Sequence, residues 1–134
     1  MSITLTSKNR TFVDISLDFT PNPLTGDLTT LKNSRAINNS IKNIILIHPN
    51  EVPFNRDMGS TVASLLFEMC DDFTASLLED EIKRAIQFNE PRADLEFVQV
   101  RPEPESNQFL VTVQYKVVGT DNVFTVDQIL TPTR

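Results

Sequence analysis

Apolar residues change their period twice along the chain. Residues 12–19, Phe-Val-Asp-Ile-Ser-Leu-Asp-Phe, alternate, with Val13, Ile15, Leu17 and Phe19 on one side and Asp14, Ser16 and Asp18 on the other. That pattern predicts an extended segment. Thr20-Pro-Asn-Pro-Leu-Thr-Gly-Asp follows, and its two prolines and glycine predict a turn-rich loop. From Asn33 the period becomes helical. Asn33 or Ser34 can cap, Ile37, Ile41, Ile44 and Ile45 share a face, and Pro49 closes the element. Ser60 is expected to cap a second, shorter helix bearing Val62, Leu65, Leu66 and Met69. A third helix, capped by Thr74 or Asp72, places Phe73, Leu77, Leu78, Ile82, Ala85 and Ile86 on one face. Glu79, Asp80 and Glu81 fall early enough in it to favour its positive end. Pro91 lacks an N–H and biases Glu90 away from helical angles, so this helix is expected to stop at Phe88 or Asn89.

Beyond Pro91 the period returns to two. Leu95-Glu-Phe-Val-Gln-Val-Arg alternates with a change of phase near Val98, which predicts a bulge or a strand buried on both faces. Arg101-Pro-Glu-Pro-Glu-Ser-Asn is expected to turn into a strand carrying Phe109, Val111, Val113, Tyr115 and Val117. Gly119-Thr-Asp-Asn then permits a hairpin into Val123–Leu130. Helices first and a meander afterwards indicate an α+β fold: three helices packed on a small antiparallel three-stranded C-terminal meander, with an extended N-terminal segment. No internal repeat or low-complexity tract interrupts this order.

The 134 residues suit a single domain spanning 1–134, in which residues 1–11 form a flexible arm or an arm that orders on a partner. A hydrophobic content of 40% is that of a globular chain. No apolar run approaches the roughly 20 residues that span a bilayer, so a soluble protein without membrane partners is expected. The first ten residues have no signal-peptide core, and Sec-type secretion is not expected.

Net charge is −6, unevenly spread. Residues 1–56 carry Lys8, Arg10, Lys32, Arg35, Lys42 and Arg56 against Asp14, Asp18, Asp27 and Glu51, a net +2, which leaves −8 on residues 57–134. No basic stripe or aromatic stacking set favours nucleic acid. The asymmetry suits a subunit with differently charged neighbours, and plain solvation explains it equally well.

Cys70, the single cysteine, excludes an internal disulfide and reads as a core or near-core residue. His48, the single histidine, precedes Pro49 at a helix end, where terminal carbonyls are within reach. One histidine without a cysteine cluster is a poor zinc site, and neither metal nor cofactor is expected. Glycines occur only at positions 26, 59 and 119, as turns and caps, with no phosphate cradle or nucleophile elbow. Two placed carboxylates suffice for glycoside hydrolysis, and Glu51, Glu68 and Glu90 are candidates by type, but their spacing forms no recognisable acid and nucleophile pair. At the helix-to-strand corner, Glu90 and Arg92 flank a stiff proline. On physics alone they read as a stop signal with two solvated charges, where the dipole favours Arg92 and disfavours Glu90.

Several short motifs occur in a specific order: Asp14-Ile-Ser-Leu-Asp-Phe, Asn22-Pro-Leu-Thr-Gly-Asp, Ala36-Ile-Asn-Asn-Ser-Ile-Lys-Asn-Ile, Glu51-Val-Pro-Phe, Gly59-Ser, Leu66-Phe-Glu and Glu90-Pro-Arg. In this order and over about residues 12–131 the chain resembles the baseplate wedge family of contractile T4-type phage tails, often labelled lysozyme-like and shared with type VI secretion baseplates. It departs from the family at Asn50-Glu51-Val52-Pro53, where a Gly-Glu-Arg-Pro type loop is usual. The resemblance implies a structural, non-enzymatic late protein of the virion tail baseplate, assembled in the host cytoplasm. Its implied partners are the helical core bundle of other wedge proteins, the tail sheath protein and proteins near the tail tube. It would template the start of sheath assembly. The implied partner-binding residues are Glu90, Pro91 and Arg92, facing a wedge partner, and Phe124, Val126, Gln128 and Leu130 on the last strand, whose outer edge could receive a sheath strand or be covered by Val13–Phe19. A peptidoglycan-cleaving muramidase is the alternative, and a generic intracellular adaptor would lack the ordered motifs.

Overall fold

A computed structural model describes residues 13–15, 30–32 and 34–132. The elements run β1 (Val13–Ile15), β2 (Thr30–Lys32), α1 (Ser34–Leu46), α2 (Val62–Leu65), α3 (Asp72–Asn89), β3 (Ala93–Glu103), β4 (Gln108–Val117) and β5 (Val123–Leu130). β1 and β2 pair antiparallel, Val13 opposite Lys32. The other three strands form an antiparallel meander in the order β3-β4-β5. The α+β architecture with three helices on a C-terminal meander is therefore observed. β2 was not expected, because its three residues follow a proline- and glycine-rich stretch and are too few to show a period. Leu17 and Phe19 lie outside the described residues.

The core lies between one face of the meander and α1 and α3. Inward residues of β4, Phe109, Val111, Val113 and Tyr115, meet Ile37, Ile41 and Ile45 of α1 and Leu78, Ile82 and Ile86 of α3 in one buried cluster. The strict alternation of burial along β4 is what a strand packed on one side requires. α3 ends at Asn89, as the proline demands.

Several local expectations are corrected. The cap of α3 is Asp71, whose carboxylate accepts the Thr74 N–H at 2.8 Å, and not Thr74 or Asp72. Phe73 and Leu77 are 73% and 40% exposed, because the face that reaches the core is Thr74, Ala75, Leu78, Ile82, Ala85 and Ile86. Met69 lies beyond the four residues of α2 and is 77% exposed. Ser60 is buried but does not cap α2; its hydroxyl donates to the Ile45 carbonyl at 2.9 Å, while the Glu81 carboxylate accepts from the Thr61 N–H at 2.8 Å. The bulge expected near Val98 is present, as a register shift between Leu95 and Phe97. β3 also continues through Pro102 to Glu103, leaving the turn to residues 104–107. His48 engages the Glu51 carboxylate, with Nδ1 at 3.4 Å and its own N–H at 2.9 Å, rather than helix carbonyls. Cys70 is half-buried, its Sγ 3.5 Å from the Gln108 carbonyl.

Candidate functional site

The helix-to-strand corner is built by a tight turn. The Glu90 N–H closes the last turn of α3 on the Ile86 carbonyl at 2.8 Å, and the Ala93 N–H donates back to the Glu90 carbonyl at 3.2 Å. Pro91 therefore occupies the second position of the turn, where its fixed φ is already correct. Glu90 and Arg92 are not two solvated charges. Glu90 is 2% exposed, and the Arg92 fork holds it with Nε–Oε1 at 2.7 Å and Nη2–Oε2 at 2.8 Å. Burial by itself would raise the Glu90 pKa, but the bonds from Arg92 and from the Ser40 hydroxyl outweigh it and hold the carboxyl below its ordinary value.

This pair belongs to a wider polar inset between α1 and the meander. Tyr115 is fully buried on the inward face of β4, and its hydroxyl donates to Asn38 Oδ1 and lies 3.2 Å from the Ser34 carbonyl. Burial, with a smaller contribution from the Glu90 charge, pushes its pKa up to about 12. Among the described residues no buried side-chain polar atom lacks a partner, so the inset is fully satisfied. Glu90 thus acts from inside the fold; at this corner Pro91 is exposed and the Arg92 side chain is 25% exposed. Glu90 was expected to face a wedge partner together with Pro91 and Arg92; in the isolated chain it is buried.

The second surface is the outer edge of β5. In β3 the Val100 N–H turns away from β4 and donates to Glu79 Oε1 at 2.9 Å. Its cross-strand neighbour Val111 must then turn its own N–H and C=O toward β5, onto Gln128. By alternation Phe124, Val126, Gln128 and Leu130 bond to β4, and the outward backbone groups of β5 belong to Val123, Thr125, Asp127 and Ile129. The Gln128 amide donating to the Ile129 carbonyl at 3.2 Å agrees with that assignment. Among the described residues nothing pairs with this edge: Val13–Ile15 bond to Thr30–Lys32 instead, and Ser16–Phe19 lie outside the described residues. Val126 and Leu130 are buried in the protein's own core. A chain added at this edge therefore meets backbone at positions 123, 125, 127 and 129, and the side chains of Phe124, Val126, Gln128 and Leu130 only from the inner face.

The candidate carboxylates form no acid–base pair. Glu51 is held below its ordinary pKa chiefly by the His48 N–H, and Glu90 by Arg92, whereas a glycosidase acid needs its pKa raised. Glu68 is exposed in the segment after α2. Among the described residues no cluster of His, Cys, Asp and Glu could hold a metal, and no helix is long and apolar enough to cross a membrane.

Sequence reasoning missed Glu79 and Glu81. Neither serves the helix N-terminus, since α3 begins seven residues before Glu79. Glu79 satisfies the edge of β3, and Glu81 accepts from Thr61 and from Arg84 at 2.7 Å. The available signal was position, because both flank the inward residues Leu78 and Ile82. Tyr115 was assigned to the strand but not to the inset; a lone tyrosine on an inward face needs a partner for its hydroxyl.

A family model described as baseplate wedge protein gp25 matches residues 32–122. The baseplate wedge protein gp25 of Enterobacteria phage T4 is 32% identical over 95 residues, covering 71% of this chain and 70% of that protein. Among solved structures, a proposed tail lysozyme from Geobacter sulfurreducens superposes with a TM-score of 0.67 at 25% identity, over 75% of this chain and 91% of that one. A chain of the anti-feeding prophage baseplate has a TM-score of 0.62 at 16% identity, over 92% and 88%.

Proposed function

The chain belongs to the baseplate wedge protein gp25 family, and from that premise we propose that it docks on a core bundle of other wedge proteins and offers the first strand edge on which tail sheath assembles. It is a structural baseplate protein of a contractile phage tail, and its neighbours are other baseplate proteins. The observation that carries the finer reading is the outer edge of β5, which no described residue pairs with. Four residues there turn their backbone donors and acceptors outward, and the strand carries Asp127 as its only formal charge and no proline. Such an edge is a ready template for another chain. The Pro91–Arg92 corner is the proposed contact to the core bundle, because a guanidinium already oriented by Glu90 loses little freedom on binding.

The test is Thr125→Pro. Thr125 is exposed and its amide points outward, so proline removes a docking donor and no ladder bond. Val126→Pro would instead break the pairing with Val113. Baseplates carrying a well-folded Thr125→Pro protein should form and fail to start sheath; normal sheath growth on them would sink the reading.

The likeness to a proposed tail lysozyme gives muramidase activity a specific observation in its favour. The carboxylates give it no support, since Glu51 and Glu90 are both held below their ordinary pKa, the direction opposite to that of a general acid. The purified protein is expected to leave peptidoglycan intact. Turnover lost in Glu51→Gln, Glu68→Gln or Glu90→Gln proteins that remain folded would establish the enzyme.

A further inference from the structure

The outer edge of β5, which no described residue pairs with, ends beside a cleft of about 210 Å³ whose wall is aliphatic at Ile45 of α1, Val62 and Ala63 of α2, Leu66 and Leu130, and polar at His48. We propose that this cleft selects the strand that docks on β5, by taking one bulky aliphatic side chain of an extended partner segment opposite Leu130. The proposal rests on the reading of β5 as a docking edge and adds to it what the incoming segment must carry.

The register makes the connection. On the outer side of β5 the hydrogen-bonding positions are Val123, Thr125, Asp127 and Ile129, so a residue added opposite Leu130 sits in a non-hydrogen-bonded pair, where side chains approach most closely. It also shares the face of Leu130, which is the face turned toward the helices. Its side chain therefore points to where α1 and α2 leave the cleft open, and residues further along on the same face would line up beside Gln128 and Val126. The outer face sets a second requirement. Asp127 accepts from the Thr112 hydroxyl at 2.9 Å and keeps further acceptor sites toward solvent. A cation opposite Asp127, three residues from the anchor and on the other face, would meet it across the new ladder. The partner is thus an extended segment of another chain, apolar at alternate positions, with a large aliphatic at one end and a lysine or arginine three residues on. A uniformly acidic segment would be repelled, since residues 57–134 carry the chain's negative excess.

A capped peptide of sequence Leu-Thr-Val-Lys-Val-Thr-Val places the anchor and the cation in this order for antiparallel addition. Fluorescence anisotropy with the full chain should show it binding about tenfold or more tightly than the peptide beginning with Ala, the difference expected for burying a leucine side chain. Methyl resonances of Val62 and Leu130 should shift with the Leu peptide only. Ala63→Phe, which fills the cleft from α2, should remove the preference, and Thr125→Pro should abolish binding of both peptides. Equal binding of the two peptides with Thr125→Pro still inhibitory would overturn the cleft and leave the docking edge standing. Binding indifferent to Thr125→Pro would remove the docking edge and the cleft together. No binding of either peptide at millimolar concentration, or proton contacts between residues 1–33 and the Thr125 or Asp127 amides in the free protein, would also overturn the proposal, the latter by showing the edge occupied by the chain itself.

Discussion

Arg92→Ala is the sharpest test of the corner. The substitution leaves Glu90 nearly without solvent, stripped of two charge-assisted bonds of 2.7 and 2.8 Å and retaining the Ser40 hydroxyl. Breaking a buried pair from one side typically costs about 3–5 kcal/mol, and the lower end applies because the Arg92 side chain keeps a quarter of its surface in water. About 3 kcal/mol is a large part of the stability of a domain this size. It should lower the urea midpoint by about 1–3 M at an ordinary denaturant slope. Replacing both charges, as Glu90→Leu with Arg92→Met, removes the stranded carboxylate and should cost much less than the two single losses added together. The pH dependence supplies an independent sign. In the native protein Glu90 titrates below its ordinary value of 4.5, so its contribution is complete above that pH and is lost as pH falls through the folded value. In Arg92→Ala burial dominates and the Glu90 pKa rises. The variant should then gain stability on acidification from neutral pH, where the native protein does not. Urea titrations across pH 4 to 8 read both effects. A loss under about 1 kcal/mol for Arg92→Ala, or additivity of the single and double variants, would refute the account of the corner as a buried clamp.

Other expectations follow from the same geometry. Tyr115 has its pKa raised from 10.0 to about 12, so its stabilising contribution is full below pH 10 and is lost as pH rises toward 12; Tyr115→Phe should flatten that alkaline limb, measured by thermal unfolding. Gly59 has φ +120, and a Cβ there would lie 2.7 Å from the Ile47 carbonyl oxygen, so Gly59→Ala should destabilise by at least about 1–3 kcal/mol in denaturant titration. Glu79→Ala should strip hydrogen-exchange protection from the Val100 amide and cost about 1–3 kcal/mol, whereas Glu79→Gln, which keeps an acceptor, should cost little.

Local chemistry alone placed most of the fold. The spacing of Ile37, Ile41, Ile44 and Ile45 marks α1 and its buried face, Pro91 ends α3 at Asn89, and the alternation from Phe109 to Val117 marks β4 and its inward side. These features depend on near neighbours in the chain, so their periods survive into the structure. The failures are those that need a second element. Phe73 and Leu77 carry the right period, yet the sheet meets the adjacent stripe of α3, and only packing chooses between overlapping stripes. Glu79 and Glu81 read as helix-end charges until β3 and α2 bring the Val100 and Thr61 amides to them. Glu90 and Arg92 are two residues apart in any conformation, but whether they are solvated or form a buried clamp depends on the tertiary packing that buries Glu90 and brings Ser40 of α1 to it. The direction of the β5 amides likewise follows from the register of β3 on β4 and of β4 on β5. A strand's alternation states which side chains face inward; which backbone groups are left for a partner is decided by the neighbouring strand.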